Sequence, residues 1–365
     1  MHSTNSGTAG AERVLVFSPN WLGDAVMALP AIADVKRHYA DARLIVAARR
    51  AVADVFRLTA DVDEILLLEW GGQWRRRRSL AEDIDHLRAR DAAIALLLPN
   101  SFASAWLAKQ AGVPERLGYA ADLRRPLLSR AVARPKGSVH QGEYYQHLVR
   151  ALGMKTGPLE PILTVPHDAT HVARSLLTSR GWDVSRPLVV IAPGAAYGTA
   201  KRWLPGHYAQ LVTMLVKSHG AQCVLVGSAG DAETTHWIRG LVAEPERVDV
   251  IDLAGSTALP TLAGVIAAAH VFVSNDSGAM HVASALGVPV AALFGPTREY
   301  ETRPQPRSGG RAEVLIHPVW CRPCMLRECP IDHRCMKGLT PERVCATVTE
   351  LMAGPKGPAL TEGAL

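Results

Sequence analysis

Aromatic residues are scarce in this chain: Phe, Trp and Tyr together make up 5% of 365 residues. Nowhere do they interleave with Lys and Arg, so the stacking platform that single-stranded nucleic acid needs is missing, and no nucleic-acid partner is expected. Long apolar runs are missing too, and none reaches the roughly 18 residues of a membrane-spanning helix. Residues 1–11 are small and polar. They lack the apolar core of an export signal, which makes the cytoplasm the expected compartment. No Gly-Lys-Ser/Thr occurs, which excludes a P-loop. No Gly-x-Gly-x-x-Gly follows the first strand-like run, which weakens a nicotinamide-dependent reading. Cysteine is rare until late: of six, five fall between Cys321 and Cys345. In a reducing compartment these are expected to be thiols.

The chain has ample apolar material. Hydrophobic residues reach 48%, enough for two domains with full cores. Net charge is +6 and uneven. Residues 1–165 hold 22 Lys and Arg against 17 Asp and Glu, and residues 166–365 hold 18 against 17. The first half is therefore the better match for an anionic partner. Apolar runs at 13–18, 43–48, 64–68, 92–99, 188–192, 222–227, 250–253, 271–274 and 288–294 alternate with helical patterns such as 24–39, 101–111, 205–219 and 259–268. This alternation predicts an α/β protein with parallel sheets covered on both faces. The rhythm breaks between about Gly112 and Asp183; the middle of this region reads as loops at the domain edge, with the linker at Gly157–Pro161. Two doubly wound domains, 12–160 and 161–352, are expected to face a cleft, with ligands at the carboxyl ends of their strands. Residues 1–11 and 353–365 are expected to be flexible tails.

Several strand ends carry chemistry. Val271–Val273 runs into Ser274-Asn275-Asp276-Ser277-Gly278, then a helical run to Leu286 and Gly287. Free N–H groups at such a helix start stabilise an anion such as a diphosphate, although Asp276 or Ser277 would equally serve as an ordinary cap. His281 lies one turn further on, either within reach of that anion or as a satisfied core residue. The first strand ends in Ser18-Pro19-Asn20-Trp21-Leu22-Gly23-Asp24. Asp24 reads as an N-cap or as a carboxylate that accepts a proton from an attacking hydroxyl. Val189–Ala192 leads into Pro193-Gly194-Ala195, followed by Lys201 and Arg202, where Lys201 has the charge to neutralise a leaving phosphate. Tyr197 and Lys201 also spell the Tyr-x-x-x-Lys of reductases and sugar epimerases, but Gly198 between them opposes the helix that pairing needs. Glu233, after Gly227-Ser228-Ala229-Gly230-Asp231, is either a ribose ligand or a surface acid. Cys321-x2-Cys324-x4-Cys329-x5-Cys335 resembles a small zinc or iron–sulfur spacing, but its second half is irregular. Packed thiols without metal are expected.

Taken together, these segments resemble the lipopolysaccharide heptosyltransferases, family 9 of the glycosyltransferases. The residues that carry the resemblance include Ser18–Asp24, Pro99-Asn100-Ser101-Phe102, Arg116-x-Gly118-Tyr119, Pro193–Ala195, Lys201–Trp203 and Asn275–His281. Phe294-Gly295-Pro296-Thr297 and the cysteines look most like the members that add the second heptose of the inner core. Transfer to an earlier position, or by another branch of the family, is the alternative, as is an epimerase or reductase using Tyr197 and Lys201. The resemblance implies a GT-B fold of two Rossmann-like domains, acceptor-binding first and donor-binding second. It implies inverting, metal-independent transfer of heptose from ADP-heptose to a heptosylated Kdo–lipid A at the cytoplasmic face of the inner membrane, with no cofactor. By position, Asp24 is the base, Lys201, Glu233, Asp276, Ser277 and Gly278 bind the donor, and His281 supports them. Arg75–Arg78 and Arg124-Arg125 are candidate contacts to the anionic acceptor or the membrane.

Overall fold

In a computed structural model, residues 12–70 and 77–354 are described. The chain forms two compact units that divide between Leu159 and Glu160.

The first unit is built on six parallel strands: β1 (Arg13–Phe17), β2 (Arg43–Arg49), β3 (Glu64–Leu68), β4 (Ile94–Leu97), β5 (Glu115–Tyr119) and β6 (Arg130–Val132). Their order is β3-β2-β1-β4-β5-β6. β1 lies at the centre, with Val16 opposite Val46 on one side and Leu96 on the other. β4 is wholly apolar and buried, and so is β1 after Arg13 at its start, as strands covered on both faces must be.

The second unit repeats the plan with β7 (Leu188–Ala192), β8 (Gln222–Leu225), β9 (Val250–Asp252), β10 (Val271–Asn275), β11 (Val290–Phe294) and β12 (Ala312–Ile316). The order is β12-β11-β10-β7-β8-β9. Each sheet thus reverses direction between its first and fourth strands, and that crevice is where open α/β sheets bind ligands. Helices Pro205–His219 and Pro341–Ala353 pack together on one face around Trp203, Tyr208 and Val344. On the other, helices His167–Ser179 and Leu259–Ala267 meet closely. A Cβ on Gly264 would overlap Ala173 and the Ala169 carbonyl, so glycine sets that distance.

The structure departs from expectation in the 112–183 region, which contains β5, β6 and helices Gln141–Ala151 and His167–Ser179. β5 reads Glu-Arg-Leu-Gly-Tyr, and β6 is a three-residue edge strand with two exposed positions. Neither presents an apolar run, so hydrophobic pattern does not reveal them. β12, which begins Ala-Glu-Val, escapes for the same reason. The helix expected over 24–39 is two, Leu22–Met27 and Leu29–His38. Pro30 occupies the first turn of the second, where its missing N–H is harmless, and it would have broken a continuous helix. Arg75 and Arg76 of the basic run lie outside the described residues, as do 1–11 and 355–365. No helix among the described residues is long and apolar enough to cross a membrane.

Candidate active site

In the second unit the loops after β7 and β10 converge at the crevice. Asn275, fully buried at the end of β10, fastens them together. Its amide donates to the Pro193 carbonyl at 2.7 Å and accepts from the Trp203 N–H at 3.1 Å and the Tyr208 hydroxyl at 3.0 Å. Asp231 performs the same task between the loops after β7 and β8. Its carboxylate accepts from the Ser228 N–H and hydroxyl at 2.9 and 2.7 Å. It lies where a Cβ on Gly194 or Gly227 would be, so these two glycines exist to admit it.

On this frame Lys201 Nζ meets Asp276 Oδ2 at 2.5 Å, with the two side chains only 12% and 5% exposed. Lys201 also lies 4.7 Å above the Tyr197 ring, a cation–π contact strengthened by partial desolvation. Thr297 donates to the same Asp276 oxygen at 2.7 Å. Asp276 is therefore occupied and does not cap the next helix. Ser277 stands at the N-cap position of helix Gly278–Leu286, but its hydroxyl pairs with Ser274 at 2.8 Å and no side chain caps the helix. The capping alternative for this turn is thus resolved: neither Asp276 nor Ser277 takes the first N–H groups. An ammonium group and the positive end of a helix sit side by side, the arrangement that receives a diphosphate. His281 is buried within this helix. Glu233 is exposed in the first turn of helix Ala232–Leu241, at the neighbouring strand end.

The Tyr-x-x-x-Lys alternative does not survive. Tyr197 is outside any helix and donates its hydroxyl to the Met325 carbonyl at 2.8 Å, while Lys201 ends a short 3-10 turn. The segment that Tyr197 touches belongs to the cysteine-rich stretch. This stretch is laid over the loop after β7 closely enough that a Cβ on Gly198 would strike the Arg327 backbone, and Ala200 N–H bonds the Arg327 carbonyl at 2.9 Å. Arg322 holds it down by donating to the Gly295 and Thr297 carbonyls and to Glu299. All six cysteines are free. Among the described residues no group of three or more His, Cys, Asp or Glu side chains is arranged to hold a metal ion.

In the first unit Asp24 is not an N-cap. It is the third residue of helix Leu22–Met27, in its first turn just beyond β1, partly exposed, and hydrogen-bonded to the Tyr145 hydroxyl. Tyr145 is buried, and its phenol is pushed well above its usual range, first by burial and then by the Asp24 charge. Sequence reasoning missed Tyr145 because it lies on a helix from the region read as loops. Asn275 and Thr297 were inside the recognised segments but carried no assigned task.

Arg124 requires a correction. Expected as a contact for the acceptor, it is 0% exposed. Its guanidinium donates to the Tyr119 carbonyl at 2.9 Å, to the Pro99 carbonyl and to Asn100 at 3.5 Å. Gly118 leaves room for it. Burial lowers its pKa to about 10, so it stays charged at neutral pH. It locks the loops after β4 and β5 together, because a buried cation is tolerated only where such acceptors surround it. Arg125 beside it is exposed.

Comparison with known proteins gives the family. The family model for glycosyltransferase family 9 (heptosyltransferase) matches residues 80–334. The chain is 33% identical over 300 residues to lipopolysaccharide heptosyltransferase 2 of Salmonella typhimurium, covering 80% of this chain and 85% of the relative. It is 30% identical over 304 residues to lipooligosaccharide heptosyltransferase 2 of Haemophilus influenzae, with 80% and 85% covered. Among solved structures, E. coli ADP-heptose LPS heptosyltransferase II superposes with a TM-score of 0.79 at 30% identity, over 93% of this chain and 98% of that one. E. coli heptosyltransferase WaaC with ADP shares the fold, with a TM-score of 0.71 at 19% identity over 93% and 99% of the two chains. With its two parallel six-stranded sheets and these relatives, the chain belongs to glycosyltransferase family 9, the heptosyltransferases, enzymes of the GT-B fold.

Proposed function

We propose that this enzyme transfers heptose from ADP-L-glycero-D-manno-heptose to the first heptose of heptosyl-Kdo2-lipid A, with inversion and without a metal ion. The observation that carries the reading is the Lys201–Asp276 pair set against the uncapped start of helix Gly278–Leu286. Lys201 and the N–H groups of Ser277 and Gly278 hold the diphosphate, Glu233 the ribose and Asp276 the heptose hydroxyls, with His281 supporting the loop. The positive charge that a leaving diphosphate requires is thereby supplied by protein groups.

The proton belongs to Asp24. It accepts the proton of the acceptor hydroxyl as that oxygen bonds to the anomeric carbon. The bond to the diphosphate oxygen breaks on the opposite side, and ADP departs with the electron pair. Inversion follows from attack opposite the leaving group. In this reading the first unit binds the acceptor and the second the donor. The anionic acceptor suits the more basic first half, and its lipid requires transient contact with the cytoplasmic face of the inner membrane. Arg125 is an acceptor contact and Arg124 a brace for the loops around it.

The test is ADP release from ADP-heptose in the presence of acceptors bearing no, one or two heptoses. Turnover is expected with the singly heptosylated acceptor. Turnover only with the heptose-free acceptor would assign the earlier transfer instead, and no release with any acceptor would overturn the reading.

A further inference from the structure

The loop after β5 presents a side chain that the chemistry above does not use. Leu123 is 92% exposed, more than any other large apolar side chain among the described residues. Its φ is +58°, and that of Asp122 before it is +47°. This left-handed conformation is unfavourable for residues with a Cβ, and no apolar contact within the fold compensates it. The tip is firmly held, since the next residue is the buried Arg124, fixed to the Tyr119 and Pro99 carbonyls. Further along the same segment Arg125, Arg134 and Lys136 are exposed, while Arg130 donates to the Leu152 and Ala151 carbonyls, and Asp122 is the one acidic residue between 120 and 140.

We propose that residues 121–136 dock the enzyme on an anionic lipid bilayer, with Leu123 entering the acyl boundary and Arg134 and Lys136 resting on headgroup phosphates. An exposed apolar tip on a segment that also carries exposed cations combines the two signals that reversible membrane attachment needs. Nucleic acid would use the cations but offers nothing to an aliphatic tip. The inference rests on the heptosyltransferase reading for its purpose. The loop lies at the carboxyl ends of the first sheet's strands, the edge that also carries Asp24, and Arg124 ties it to the loop after β4. A lipid-anchored acceptor would thus be met where its sugar is used.

The experiment is sedimentation of the full-length protein with phosphatidylethanolamine vesicles, with and without phosphatidylglycerol, alongside turnover of a deacylated, lipid-free heptosyl-Kdo acceptor. The wild type is expected to bind the anionic vesicles, less so at high salt. Leu123→Asp should weaken that binding about tenfold while leaving lipid-free turnover unchanged. An Arg134→Glu/Lys136→Glu double variant should reduce binding by at least about tenfold. Equal binding by the variants and wild type, or equal binding to vesicles lacking phosphatidylglycerol, would overturn the proposal. Absence of lipid-free turnover in the wild type would instead strike the catalytic reading, leaving the vesicle result to be read alone.

Discussion

At the scale of single residues, the proposed chemistry depends on which groups their neighbours leave available. Asp24 was visible in the sequence as a carboxylate at a strand end, and Asp24→Ala should lower kcat by about 100- to 10,000-fold. Near-normal ADP release by that variant would dismiss it as the base. Tyr145 was not visible as its partner, because the two are brought together by a helix more than a hundred residues downstream. A hydroxyl donated to a carboxylate stabilises the ionised form. Tyr145→Phe removes it, so the acid limb of the pH–kcat/KM profile should move to higher pH by up to about one unit, with activity recovering as pH rises. An unmoved limb with uniformly reduced kcat would show that Tyr145 only packs. Arg124 shows the reverse difficulty. Its charge was legible, yet its burial was not, because Arg-Arg in a loop reads the same whether its side chains point to water or to carbonyls.

At the scale of elements, contacts between loops decide the site. Gly198→Ala places a Cβ against the Arg327 backbone, which cannot rotate aside, so the donor KM should rise at least about tenfold. Gly194→Ala meets the Asp231 side chain, which has more freedom to adjust, and should do less harm. Equal donor KM values in both variants, measured by steady-state kinetics, would discard this view of the cysteine-rich segment as a brace. Away from the site, Asp34 joins three pieces of the first unit. Its fully buried carboxylate accepts from Gln146 at 2.9 Å and the Gly157 N–H at 2.8 Å, and it pairs with Arg37. Asp34→Ala should lower stability by about 3 kcal/mol, and Asp34→Asn by less, as read from urea unfolding. Burial raises the folded-state pKa of Asp34 above 3.8 despite these partners. Its ionisation therefore opposes folding: its contribution is most favourable below the unfolded value and declines as pH rises through the folded one. The central strands of both sheets were legible because doubly buried strands are continuous apolar runs. β6 and β12 were not, because edge positions allow charge, and β5 was not, because it opens with Glu115 and Arg116 beside the short edge strand β6.

At the scale of the whole molecule, the proposed donor site and the proposed base belong to different units, so their effects should separate. ADP at about 100 times its Kd should stabilise the protein by about 2.7 kcal/mol. Lys201→Ala should abolish that shift in thermal unfolding, while Asp24→Ala should keep it in full. Loss of the shift in both variants would contradict the division of labour. The sequence alone determined the class of fold and marked the strand ends where chemistry is proposed. Hydrophobic period and strand-end composition are local properties, and the same local pattern recurs in both units. Only the tertiary structure decided what each charged or hydroxyl group is free to do. Asp276 is claimed by Lys201 and Thr297 rather than by the helix it precedes, Ser277 by Ser274, Tyr197 by Met325 and Arg124 by backbone carbonyls. Those choices depend on contacts of the folded chain, several of them with partners distant in sequence, and on burial, which sets the strength of a polar contact and which no local pattern encodes.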